Sequence, residues 1–129
     1  MASIVILEDD AALRDTLRLH LASEGYTVRT AADATEGIRA IMSEIPDLIL
    51  SDITLPYMGG FELLEVLQRD ETTKDVPVIL LTGRKDDESY MTGMQLGAAS
   101  YLTKPVAREE LLEAIAAALR GANKKRAKT

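Results

Sequence analysis

Hydrophobic positions along the chain follow two patterns that alternate with each other. Short continuous apolar runs, such as residues 4–7 and 78–81, are bounded by turn signals and are typical of buried strands. Between such runs, apolar residues recur every three or four positions, as Leu13, Leu17 and Leu21 do. That spacing predicts helices that turn one face toward a core.

The two patterns predict five strands, at residues 3–7, 26–30, 48–51, 78–81 and 100–102, each followed by a helix. Asp33 with Glu36 resembles a capping box that opens the second helix, and Gly25 and Gly121 are expected to end the first and the last. Parallel strands need helical crossovers, so this alternation predicts an α/β fold with helices on both faces of a parallel sheet. We expect one domain over residues 1–121 and a basic tail over 122–129 that is disordered or begins a linker.

Composition narrows the classes of function. The chain has 129 residues, 47% of them hydrophobic and 28% charged, as is usual for one globular domain. It contains no cysteine, no secretory signal and no apolar run long enough to span a membrane, so we expect a cytoplasmic protein without thiolate metal sites. Four of the fifteen basic residues lie in the last six positions, which leaves eleven basic against twenty-one acidic side chains elsewhere. An acidic body of this kind repels nucleic acid, so direct binding of nucleic acid by this domain is not expected.

Reactive side chains follow four of the five predicted strands. The first strand is followed by Glu8, Asp9 and Asp10, the third by Asp52, the fourth by Thr82 and the fifth by Lys104. The carboxyl ends of parallel strands meet at one edge of the sheet, where ligands bind in open α/β folds. Clustered carboxylates repel one another, and a divalent cation with a preference for oxygen, best Mg²⁺, relieves that repulsion. Taken singly, the acids could cap a helix, Thr82 could belong to a turn and Lys104 could be an ordinary surface residue. Their coincidence at one edge favours a site in which Asp52 attacks phosphorus and Lys104 and Thr82 bind the phosphoryl oxygens.

Ordered motifs over almost the whole chain resemble the receiver domain of two-component response regulators. They are the acids after the first strand, Asp-x-x-x-Pro-x-Met-x-Gly at residues 52–60, Thr82-Gly83, and Tyr-Leu-Thr-Lys-Pro at residues 101–105. The resemblance implies a flavodoxin-like (βα)5 three-layer sandwich with strand order 2-1-3-4-5. It also implies that Asp52 accepts phosphate from a histidine kinase or a phosphotransfer protein, and that the Lys104–Pro105 bond is cis.

Further roles for single residues are likewise implied by the resemblance. Asp9, Asp52 and the backbone carbonyl of Thr54 would hold Mg²⁺, with Mn²⁺ as a substitute, and Glu8 would act through a water on the metal. Thr82 and Lys104 would contact the phosphoryl group, and Thr82 would be coupled to the rotamer of Tyr101. Thr54 and Arg84 occupy the positions that tune phosphoaspartate hydrolysis. The surface of the fourth helix, fifth strand and fifth helix would then change its partners.

Other functions remain open at this point. A small phosphohydrolase of the haloacid-dehalogenase type also uses a strand-end Asp, but it needs an acid where this chain has Thr54. A phosphate-independent interaction domain of the same shape is a second alternative, and a dinucleotide-binding module is disfavoured because Glu8, Asp9 and Asp10 would repel pyrophosphate. We expect a regulator that catalyses only its own phosphorylation and dephosphorylation. We favour a stand-alone protein, a monomer or a weak phosphorylation-dependent dimer, that acts on a downstream protein.

Overall fold

The structure is a computed structural model, and it describes residues 1–83 and 86–127. Over these ranges, strands and helices alternate as the apolar pattern predicts. The strands are β1 (Ser3–Leu7), β2 (Thr27–Ala31), β3 (Leu48–Asp52), β4 (Val78–Thr82) and β5 (Ser100–Thr103). The helices are α1 (Ala11–Ser23), α2 (Ala34–Ser43), α3 (Gly60–Arg69), α4 (Asp87–Gln95) and α5 (Arg108–Ala127).

The five strands form one parallel sheet in the order β2-β1-β3-β4-β5, which confirms the flavodoxin-like topology. Ile4 of β1 pairs with Val28 on one side and with Leu48 on the other. The three inner strands are buried almost throughout, because helices cover both faces of the sheet. All five carboxyl ends therefore meet at one edge.

The two faces of the sheet carry separate cores, because successive side chains of a strand point to opposite faces. Ile4 and Ile6 of β1 belong to a cluster that includes residues of α1 and α5, namely Leu17, Leu21, Leu111 and Ile115. Val5 and Leu7 belong to the other cluster, which includes residues of α2 and α3, namely Ala34, Ile41, Leu63, Leu64 and Leu67. Met42, which follows the buried Ile41 in α2, belongs to neither cluster and is 41% exposed.

The last helix is longer than the sequence pattern predicts. Gly25 and Gly97 have φ angles of 96° and 97° and follow α1 and α4, as glycines at helix ends commonly do. Gly121 was expected to end α5 in the same way, and this prediction is wrong: α5 continues through it to Ala127. Gly121 keeps a helical backbone, and the residues after it are mostly good helix formers. Within the described ranges, neither α5 nor any other helix has the length and apolarity needed to cross a membrane.

Candidate functional site

The carboxyl edge of the sheet brings the predicted site residues together. Glu8 follows β1 directly, Asp52 and Thr82 are the last residues of β3 and β4, and Lys104 follows β5. Asp52 pairs with Leu81, one residue before Thr82. The backbone N–H of Lys104 donates a hydrogen bond to the carbonyl oxygen of Thr82 (2.7 Å), which fixes the two neighbouring strand ends.

Lys104 joins the two buried carboxylates of the site. Its Nζ lies 2.7 Å from Glu8 Oε1 and 2.5 Å from Asp52 Oδ2, while Glu8 is 1% and Asp52 6% exposed. Burial raises the pKa of Glu8, and the hydrogen bond from Lys104 opposes this only in part. Partial burial lowers the pKa of Lys104, but the hydrogen bonds to Asp52 and Glu8 outweigh it and raise that pKa overall. Removing one partner of such a buried group leaves uncompensated charge, so the three side chains form one unit.

Glu8, Asp9 and Asp52 form a group that fits a hard divalent cation. One carboxylate oxygen from each lies within 4.8 Å of the others, and Asp9 is exposed to solvent whereas Glu8 and Asp52 are buried. The donor atoms are all oxygens, and no His or Cys joins this group. Such a donor set with an open side suits Mg²⁺, which keeps several of its waters.

Asp10 has a different role from the acids before it. Its carboxylate accepts a hydrogen bond from Leu13 N (3.1 Å), so it is the N-cap of α1, and its own N–H donates to Glu8 Oε2 (3.0 Å). The helix-cap alternative therefore holds for Asp10, while Glu8 and Asp9 belong to the carboxylate group. Thr54 contributes its backbone N–H, which donates to Asp52 Oδ1 (3.0 Å) and fixes that carboxylate. The role of the Thr54 carbonyl stays a prediction.

The loop from residue 53 to 60 packs tightly behind Asp52. Gly60 N donates to Ile53 O (2.7 Å), and a Cβ added at Gly60 would lie 2.6 Å from the carbonyl oxygen of Asp52. Only glycine allows α3 to begin this close to the strand end. Within the same loop, Tyr57 has a φ of 73° and is 90% exposed, an unusual conformation for a bulky residue.

The predicted switch residues lie on the two strands next to the site. Thr82 is buried at the end of β4, and Tyr101 is half-buried in β5, where its ring contacts Tyr90 of α4. The Lys104–Pro105 bond is cis, as expected. Arg84 lies outside the described residues.

Sequence reasoning missed two side chains near the site. Arg14 of α1 donates from a guanidinium nitrogen to the carbonyl oxygen of Glu8 (2.8 Å), and no motif singles it out. Tyr90 forms an edge-on contact with Tyr101, with ring centroids 5.5 Å apart. Its signal in the sequence is slight: Tyr90 is the one aromatic residue within α4.

A parallel α/β sandwich that carries a carboxylate cluster and a lysine at its carboxyl edge has the architecture of a receiver domain, and comparisons with known proteins agree. The model of the response regulator receiver domain matches residues 4–116. The chain therefore belongs to the receiver domain family of two-component response regulators. Receiver domains bind Mg²⁺ at an acidic cluster such as that of Glu8, Asp9 and Asp52.

Individual relatives cover nearly all of the chain. The transcriptional regulatory protein AfsQ1 of Streptomyces coelicolor is 40% identical, over 93% of this chain and 52% of that protein. The phosphate regulon transcriptional regulatory protein PhoB of Pseudomonas aeruginosa is 36% identical, over 92% of this chain and 52% of that protein. A crystal structure of a CheY-like receiver domain protein from Methanospirillum hungatei has a TM-score of 0.89 at 37% identity, over 97% of this chain and 98% of that one. The chain thus spans about half the length of the curated relatives named here.

Proposed function

We propose that Asp52 accepts a phosphoryl group from a histidine kinase or a phosphotransfer protein, and that this phosphorylation switches a partner-binding surface. The observation that carries the proposal is the environment of the Asp52 carboxylate. It lies at the end of the central strand, with the Lys104 ammonium at 2.5 Å and the carboxylates of Glu8 and Asp9 nearby. A nucleophile that must meet an anionic phosphoryl group needs such fixed positive charge beside it.

In the proposed step, an Asp52 carboxylate oxygen forms a bond to phosphorus. The bond between phosphorus and the donor atom, a histidine nitrogen or the oxygen of a small acyl phosphate, breaks at the same time. The leaving group keeps the bonding electrons, and it takes up a proton from solvent where its basicity requires one. The Thr54 N–H and Lys104 hold the two Asp52 oxygens before attack, and each carboxylate oxygen can accept more than one hydrogen bond. Lys104 and Thr82 then bind oxygens of the transferred group.

The metal supplies charge neutralisation at the carboxylates and the phosphoryl oxygens when it is bound. Asp9, Asp52 and the Thr54 backbone carbonyl would hold it, with Glu8 acting through a water. Mg²⁺ is the proposed ion, and Mn²⁺ shares its preference for oxygen ligands. Thr54 and Arg84 remain the residues proposed to tune hydrolysis of the phosphoaspartate. On this proposal the chain catalyses only its own phosphorylation and dephosphorylation.

The proposed output is a change in the surface formed by α4, β5 and α5. Thr82 and Lys104 bind the phosphoryl group, and the hydrogen bond from Lys104 N to Thr82 O connects them to β5, which carries Tyr101. Movement of the Thr82 side chain toward the phosphoryl group would free space for Tyr101 to change its rotamer. A small change at one residue can thereby alter a packed surface that has two arrangements.

The downstream partner is inferred from the relatives and from charge. Those named as transcriptional regulators support an output at DNA through regions outside this domain, because the domain itself is acidic. The likeness to a CheY-like receiver domain protein from Methanospirillum hungatei leads us to retain an output through a partner protein as the alternative. The stand-alone form stays our prediction, as do the monomeric or weakly dimeric state and the cytoplasmic location.

The test is incubation with acetyl phosphate and Mg²⁺, followed by intact-mass measurement. Wild type and Asp15→Asn, an exposed acid outside the site, should each gain one labile phosphoryl group, whereas Asp52→Asn should gain none. An unmodified wild type, or a modified Asp52→Asn, would contradict the proposal. Turnover of a small phosphoester far beyond one equivalent would favour the phosphohydrolase alternative.

A further inference from the structure

Tyr90 and Tyr101 form a contact between two secondary-structure elements beside the site. Their ring centroids are 5.5 Å apart and the ring planes meet at 80°, an edge-to-face arrangement that aromatic pairs prefer. Tyr101 is half-buried in β5, and Tyr90 in α4 is 49% exposed. The pair therefore connects the interior near the strand end with the outer surface of α4.

The surroundings of Tyr101 are tightly packed on one side and open on another. A Cβ added at Gly93 would lie 3.2 Å from Tyr101 Cδ2 and 3.1 Å from Leu80 Cδ1, so the ring fits against α4 because Gly93 has no side chain. A cavity of about 290 Å³ borders the pair and is lined by Asp86, Asp87, Tyr90, Tyr101 and Thr103. A ring that borders open space can change its rotamer without displacing close-packed neighbours.

Helix α4 itself has few buried residues with large side chains. Of its nine residues, only Ser89 and Gly93 are buried, and both are small. Tyr90, Met91 and Met94 are 49%, 55% and 38% exposed and form an apolar face on this helix. The contact of Tyr90 with Tyr101 thus connects this exposed face of α4 to β5.

We propose that Tyr90 is a positioning residue that holds Tyr101 in the orientation adopted when Asp52 is paired with Lys104. This inference rests on the proposed function, which makes Tyr101 the switch residue. Phosphorylation would break the Asp52–Lys104 pair, and Tyr101 would then leave Tyr90. The apolar face of Tyr90, Met91 and Met94 would lose its aromatic support and change its shape.

The strength of the contact sets the size of the expected effect. An edge-to-face pair of aromatic rings shifts the equilibrium between the paired and the unpaired arrangement about two- to twelve-fold toward the paired one. A ligand that binds only the state without the pair gains the same factor in affinity when the pair is removed. Removing the Tyr90 ring should therefore make the phosphorylated arrangement easier to reach.

The experiment titrates beryllium trifluoride, a phosphoryl analogue, with Mg²⁺ present, into protein labelled with fluorotyrosine. Fluorine NMR follows Tyr101, whose signal is assigned with Tyr101→Phe. Tyr90→Leu removes the ring but keeps apolar bulk, and Tyr90→Phe keeps the ring. Tyr90→Leu should shift the Tyr101 signal in the free protein and lower the half-saturating concentration of beryllium trifluoride about two- to twelve-fold. Tyr90→Phe should match wild type in both quantities.

Failures of the two proposals have different signatures. The role of Tyr90 is overturned if the half-saturating concentration of the analogue for Tyr90→Leu is equal to or higher than that for wild type, or if Tyr90→Phe behaves like Tyr90→Leu. In either case wild type still responds to the analogue, and the proposed function stands. If wild type shows no saturable response at Tyr101 and no phosphorylation of Asp52, the proposed function fails and the inference fails with it.

Discussion

A single substitution, Gly→Ala, should have opposite effects at two helical positions of this protein. At Gly60, the first residue of α3, a Cβ would lie 2.6 Å from the carbonyl oxygen of Asp52 and 2.8 Å from the Cα of Ile53. Both are backbone atoms, which cannot rotate away as a flexible side chain can. At Gly121, within α5, a Cβ would meet no atom within 4 Å.

The magnitudes follow from these distances. Overpacking typically costs about 1–3 kcal/mol, and the upper end applies at Gly60 because both close atoms belong to the backbone. Alanine at the first turn of α3 regains less than about 1 kcal/mol, so Gly60→Ala should lose about 2 kcal/mol. Gly121→Ala should gain about 0.5–1 kcal/mol, because alanine favours a helix interior over glycine by that amount. With an m-value of about 2 kcal/mol/M, the urea midpoint should fall by about 1 M in the first variant and rise by up to about 0.5 M in the second.

The comparison of Gly60→Ala with Gly121→Ala also tests the functional site at Asp52. Gly60→Ala pushes on the backbone of the proposed nucleophile, and displacements of about 1 Å can lower a rate by up to about 10²-fold. Phosphorylation by acetyl phosphate should slow by about tenfold in Gly60→Ala and stay unchanged in Gly121→Ala, as followed by intact mass over time. Equal stability and equal rates in the two variants would refute the argument that glycine is required behind Asp52.

Other side chains offer shorter tests. Tyr57→Gly should raise the free energy of unfolding by about 1 kcal/mol, since a bulky residue with a φ of 73° is strained, and a thermal melt without an upward shift would contradict this. Asp10→Ala should lower the free energy of unfolding by about 1 kcal/mol, because the α1 cap is lost, but should leave Mg²⁺ affinity unchanged. Weaker Mg²⁺ binding in calorimetry would show that Asp10 also contributes to the metal site. Lys104→Met should tighten Mg²⁺ binding, because it removes the cation that now neutralises Glu8 and Asp52, and unchanged or weaker binding would argue against that competition. Burial raises the pKa of Glu8 above the ordinary value of 4.5, so its carboxyl takes up a proton at a higher pH than an exposed glutamate does. As the solution is acidified, Mg²⁺ affinity should therefore begin to fall above pH 4.5. Glu8→Gln should show less of this pH dependence.

Much of the fold could be predicted because its signals are local. The apolar runs of β1, β3 and β4 are continuous, since inner strands of a parallel sheet are buried on both faces. Their positions agree with the structure to within about one residue, as element ends generally do. The strand order is not a local property, and it came from the resemblance to a family.

Errors arose where one residue type has two uses. Glycine ends a helix when it adopts positive φ, as Gly97 does, but it can also lie inside one, as Gly121 does, and the letter alone does not distinguish these. Consecutive acids present the same difficulty. Asp10 turned to cap α1, while Glu8, two residues before it, is buried against Lys104, and only the direction of each side chain separates the roles.

The contacts of Tyr90 and Arg14 were beyond sequence reasoning for a related reason. Tyr90 contacts a residue eleven positions later through the packing of α4 on β5, and Arg14 binds a backbone carbonyl rather than another conspicuous side chain. Neither contact leaves a periodic trace, and the slight compositional trace, that Tyr90 is the one aromatic residue within α4, does not indicate which residue it contacts. Such contacts appear only when the packing angle of a helix on the sheet is known.

The order of the strands also determines where another chain could pair with the sheet. In the part of the chain that the structure describes, β2 and β5 are the edge strands of the sheet, and an exposed edge is a template for pairing with another chain. β5 is four residues long and is followed at once by Lys104 and Pro105, a charge and a residue without an N–H. β2 carries Arg29 at its centre, whose guanidinium reaches the carbonyl oxygens of Ala40 and Glu44 at the end of α2. Both edges are thus poor templates for pairing with the edge of another sheet.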